Sequence, residues 1–142
     1  MVLIPPTNSV IGAVVMDANV SIGISAKEAD KHSKAQAALI HYLSLGYTLF
    51  VPGVLVAETL YILCKKAQRG DLAPEDHAQA IQDFIYLMIG VESPPTGDIA
   101  LIRRAEEVRS GYGCSRSADG LYIALAEYLA RTRPTVLLEF RQ

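Results

Sequence analysis

The sequence predicts an α/β fold, a parallel sheet with helices on both sides. Three observations carry this. Short apolar runs rich in β-branched residues are unbroken rather than alternating, the pattern of strands buried on both faces. Segments with helical spacing lie between them. The chain has 142 residues, 51% of them hydrophobic, 20% charged and 7% aromatic. That suffices for one domain (1–142) that fills its core without disulfides, and it argues against disorder.

Residues 1–9 (MVLIPPTNS), with a proline pair, read as a loose leading segment. Residues 10–16 (VIGAVVM) form the first buried strand and stop at Asp17. Helical spacing over 31–45 ends at Gly46, a suitable stop. Residues 47–51 (YTLFV) give a second strand, broken by Pro52 and Gly53. A mostly buried helix is expected over 54–67. After a turn at 70–73, Pro74 opens the next helix, to about Ile89. A short strand at 91–93 precedes Pro94 and Pro95. Thr96 can cap a helix to about Arg109, and Ser117 one to about Ala130. Residues 134–140 (PTVLLEF) supply a fourth strand.

The net charge of −2 gives no global steering toward nucleic acid, so any such site must be local. Residues 99–142 hold seven arginines, no lysine and five acids. Arg103, Arg104, Arg109 and Arg116 are candidates for phosphate contacts, since the guanidinium fork binds phosphate bidentately. Ion-paired, solvated helix faces explain the same residues. Cys64, in an apolar helical run, reads as a small core residue. Cys114, in a Gly/Ser-rich turn, reads as a free thiol. A reducing cytoplasm fits both. No basic segment precedes the first apolar run, and no apolar stretch approaches the length of a membrane span. His32, His41 and His77 form no zinc pair and read as surface or helix-end residues. Nucleotide-loop, dinucleotide and serine-hydrolase motifs are absent.

The acids are more informative. In a parallel sheet, ligands bind beyond the carboxyl ends of the strands, where Asp17 stands. It is the first charged residue in the chain, followed by Asn19 and Ser21. Capping the next helix is its simpler role. Glu58 interrupts VLVAETLYIL (54–63), a helix apolar on nearly all faces. A buried carboxylate needs a cation or donors, whereas a first-turn glutamate would need only the helix dipole. Asp119 begins DGLYIALAEYLA, where the dipole alone again suffices. Brought to one sheet edge, the three carboxylates would repel one another. Mg2+ or Mn2+ would offset that charge and supply an activated water for attack on phosphorus.

VVMDANV (14–20), PGVLVAETLYIL (52–63) and SADGLYIALAEYLA (117–130) resemble, in order and spacing, the acidic motifs of PIN domains, especially VapC-type toxins. The likeness runs from about residue 13 to the end. It implies a three-layer α/β/α sandwich with a central parallel sheet of four to five strands, and RNA cleavage dependent on Mg2+ or Mn2+. By position, Asp17, Glu58 and Asp119 match catalytic and metal-binding acids, and Asn19 a supporting polar position. A homodimer and a small antitoxin partner are also implied. The resemblance departs at the last strand. Arg141 stands where a fourth aspartate is common and Glu139 where a hydroxyl residue is. Glu139 is therefore a candidate supporting carboxylate, and a catalytically lapsed PIN domain serving as a binding module is the alternative. A flavodoxin-like signalling domain fits less well, because no lysine follows Lys66.

Overall fold

The computed structural model describes residues 2–3, 11–94, 97–111 and 119–139, with the side chains of residues 2, 3 and 119 outside that description. Its sheet is built around β2 (Ala13–Met16), the buried core of the run expected over 10–16. All four β2 residues are fully buried. Successive strand residues face opposite sides, so both faces of the sheet are covered. β3 (Thr48–Phe50) and β4 (Thr135–Leu138) flank β2, both parallel to it.

Among the described residues three strands run parallel, where four to five are expected. The fourth strand, β1 (Val2–Leu3), runs antiparallel along the outer side of β4, giving the order β1-β4-β2-β3. Part of the supposedly loose leading segment is thus paired. The segment expected as a strand at 91–93 contributes a single parallel bridge, Phe50 to Glu92. The Glu92 N–H donates to Leu49 O at 2.9 Å, and the Val51 N–H donates to Glu92 O at 3.2 Å. Pro94, lacking an N–H, follows at once and cannot extend the ladder.

The helices are α1 (Ala18–Ser25), α2 (Ala29–Ser44), α3 (Val54–Gln68), α4 (Pro74–Leu87), α5 (Ile102–Gly111) and α6 (Asp119–Ala130). α1 packs against α2, α3 and α4, while α6 lies on β2 and β4 and against α5. Pro74 opens α4 as expected, and Gly46, with φ +87°, follows α2. The helix expected from Thr96 instead begins as a 3-10 turn (Gly97–Leu101) leading into α5. The caps expected at Thr96 and Ser117, and the turn holding Cys114, lie outside the described residues.

α1 was foreshadowed only as whatever Asp17 would cap. Its sequence, ANVSIGIS, has β-branched residues and a glycine, all poor helix formers. Every residue of it but Asn19 is buried, so packing overrides propensity. α3 is corrected in the opposite sense. It buries Leu55, Thr59 and Leu63 along one stripe and leaves Val56, Leu60 and Tyr61 exposed. Cys64, expected in the core, is exposed. Apolar composition shows what a helix can bury, not how many neighbours arrive to bury it.

α5 and α6 meet at a glycine. A Cβ on Gly120 would stand 2.5 Å from the Ala105 carbonyl oxygen, so this contact admits no side chain.

Candidate active site

The site starts from register. β2 and β4 are paired so that Met16 faces Leu138, and the Asp17 N–H donates to Leu138 O at 3.1 Å. Asp17 and Glu139 follow directly on these two strands, so their backbones leave the carboxyl edge of the sheet side by side. Asp17 is 9% exposed and is the N-cap of α1, its Oδ1 accepting from the Val20 N–H at 3.1 Å. The capping role is therefore real. It engages one carboxylate oxygen, and the burial of an acid at a sheet edge is not explained by capping alone.

β3 ends beside β2 and leads through Pro52 and Gly53 into α3. The start of α3 is held from a distance. Asp98, in the 3-10 turn, accepts from the Gly53 N–H at 2.9 Å and the Val54 N–H at 3.3 Å. Asp98 stands in the first turn of its own 3-10 helix. Its side chain instead caps another helix, a contact that contributes about 1 kcal/mol. Glu58 lies beyond the first turn of α3, which has no acid, and is half-buried. The helix-dipole account of an exposed first-turn glutamate is thereby set aside. The next residue, Thr59, is fully buried with Ser21 of α1, their hydroxyls 3.0 Å apart. That pairing sets the rotation of α3 against α1.

Glu58 is held by a residue that the motifs do not single out, and that residue also feels the charge of Asp17. Tyr122 of α6 is 2% exposed, and its hydroxyl donates to Glu58 Oε1 at 2.6 Å. The phenol is held far above its ordinary range, first by burial, then by the Glu58 hydrogen bond, then by the charges of Glu58 and Asp17. A backbone hydrogen bond from Ala18 opposes these. The hydroxyl thus stays protonated and feels both carboxylates. A sequence signal for it existed, since a tyrosine inside an apolar helix must find a partner for its hydroxyl. Asp119 opens α6 three residues earlier. Its backbone is one helical turn from Tyr122, and its side chain lies outside the described residues.

Among the described residues no group of three or more His, Cys, Asp and Glu is placed to hold a metal ion. The donors that can be followed, the Asp17 and Glu58 carboxylates and the Tyr122 hydroxyl, are all oxygen. They suit a hard divalent cation and not zinc. Asn19 is exposed in the first turn of α1, two residues past the cap. None of the histidines shares the site: His32 contacts the Ile24 carbonyl, His41 stacks edge-on against Tyr42, and His77 lies in α4.

The arginines separate. Arg104 is held by Glu127 at 3.0 Å and Glu107 at 2.9 Å on an exposed helix face, the ion-paired alternative rather than a waiting phosphate ligand. Arg103 is exposed on α5. Arg116 and Arg141 lie outside the described residues. The Cγ of Arg109 would lie 3.0 Å from a Cβ at position 120, which places this side chain along the start of α6.

The PIN domain family matches residues 14–132, a span holding Asp17, Glu58 and Asp119 and most of the chain. The chain belongs to the PIN-domain family. PIN domains are generally nucleases, which makes this one a candidate hydrolase on nucleic acids, and PIN-domain nucleases commonly use divalent metals. An α/β fold with a three-stranded parallel sheet is consistent with that family. No curated protein matches the chain. Among the described residues of this PIN domain, no helix is long and apolar enough to cross a membrane.

Proposed function

We propose that this PIN domain is a Mg2+- or Mn2+-dependent endoribonuclease that hydrolyses RNA phosphodiester bonds, and that Asp17, Glu58 and Asp119 hold the cation. The observation that carries the reading is the Tyr122 hydroxyl, which donates to Glu58 and feels the charge of Asp17, with Asp119 opening the same helix as Tyr122. A divalent cation would offset the mutual repulsion of carboxylates gathered here. When bound, the cation would supply an activated water and charge stabilisation at phosphorus. The protein's own part is to fix the carboxylates: Asp17 through its cap, Glu58 through Tyr122, and Glu139 as a supporting carboxylate beside Asp17. Asn19 is the polar group nearest Asp17 in the chain and would support substrate or a bound water.

The test is cleavage of an end-labelled RNA panel with Mn2+ and with EDTA. Cleavage is expected only with metal. Glu58→Gln is expected to reduce it by at least about 100-fold, about 2.7 kcal/mol of transition-state stabilisation, and to remove saturable Mn2+ binding. An inert wild type that binds no Mn2+ would leave the lapsed PIN domain in its place.

The finer biological reading is a cytoplasmic toxin of a toxin–antitoxin pair, acting as a homodimer. The exposed Val56, Leu60 and Tyr61 of α3 support an association surface, since monomers rarely leave contiguous apolar patches open. Light scattering of the chain alone, and with the product of the adjoining reading frame, is expected to give the mass of two chains and then of a larger complex. A monomer in both would remove both partners.

A further inference from the structure

We propose that Tyr122 is the positioning residue of this site: its hydroxyl fixes the Glu58 carboxylate in the orientation that receives the cation. The inference rests on the metal-dependent reading above and concerns what makes that site bind.

A glutamate side chain has several torsions to order, and each is a loss of freedom on binding. Tyr122 removes much of that freedom in advance. Its ring is packed in the core at 2% exposure, so the hydroxyl has one place to be. The 2.6 Å bond is of the short, charge-assisted kind. Its origin matters as much as its length, because Tyr122 belongs to the helix that Asp119 opens, while Glu58 belongs to α3. One hydrogen bond therefore ties the element carrying the third acid to the side chain of the second. The Ser21–Thr59 contact sets the α3 backbone, and Tyr122 sets what projects from it. Outer-shell partners of this kind are worth about 10–100-fold in metal affinity.

The variant is Tyr122→Phe, which keeps the ring and removes the donor. Calorimetric titration with Mn2+ alone is expected to show affinity weakened by about 10–100-fold. The melting temperature in EDTA should fall modestly, as one tie between α3 and α6 is lost, and RNA cleavage should recover toward wild type as Mn2+ is raised. A merely structural stitch between α3 and α6 would lower the EDTA melting temperature and leave Mn2+ affinity alone. Equal Mn2+ affinity in Tyr122→Phe and wild type overturns the proposal while leaving the nuclease reading intact. Loss of binding in Glu58→Gln confirms that the titration reports this site, and a wild type that binds no Mn2+ removes both readings. A second measurement needs no variant. The chain has no tryptophan, so Tb3+ emission excited near 280 nm comes through tyrosine. Wild-type emission displaced by Mn2+ is expected, and its absence counts against a cation beside Tyr122.

Discussion

Asp17→Asn is expected to leave the fold standing and to cut Mn2+-dependent RNA cleavage by at least about 100-fold, about 2.7 kcal/mol in the barrier. The two halves of that expectation come from the two uses of one side chain. Oδ1 accepts from the Val20 N–H, and an asparagine oxygen accepts there equally well, so α1 keeps its cap. What asparagine lacks is the negative charge that a divalent cation requires. Asp17→Ala removes both, so it should lose the same activity and about 1 kcal/mol of stability as well. Single-turnover cleavage and urea unfolding separate these effects. An asparagine variant cleaving within about threefold of wild type, less than 1 kcal/mol in the barrier, would take Asp17 out of the site.

Gly120→Ala should be the most damaging single-methyl change near the site. The added carbon would stand 2.5 Å from the Ala105 carbonyl oxygen and 3.0 Å from Arg109 Cγ. The first is backbone inside α5 and cannot swing aside, so the two helices must separate. Overpacking of this sort costs about 1–3 kcal/mol. The displacement falls at the start of α6, next to Asp119 and a turn before Tyr122, so cleavage should drop along with the unfolding midpoint. Gly111→Ala, where a Cβ meets nothing within 4 Å among the described residues, is the control and should be neutral or mildly stabilising. Equal midpoints for the two variants would show that α5 and α6 tolerate separation.

The parts of the fold that could be read from the chain are those whose local pattern and tertiary fate agree. β2 and β4 are unbroken apolar runs because they are covered on both faces, and α2 and α4 carry one-sided periodicity because they are half-covered. α1 was hidden because its residues individually disfavour a helix and only burial makes them one. α3 misled because its apolar face is only partly used, which left Cys64 in solvent. The acids at 17 and 58 stand out in the sequence as charges set against apolar runs. Tyr122 does not, since a tyrosine in an apolar helix looks like packing until its hydroxyl is followed. Asp98 stands in one helical turn and serves another helix, through contacts 44 and 45 residues away that no local pattern reveals.

The neighbouring side chains at 58 and 59 send α3 in two directions, toward α6 through Tyr122 and toward α1 through Ser21. Any transient opening that lifts α3 must release both at once. Hydrogen exchange should then report one cooperative unit, with amides in the buried parts of α1, α3 and α6 sharing a similar opening free energy. The surroundings of Asp17, Glu58 and Tyr122 would then open together, without a state in which only one of them is displaced.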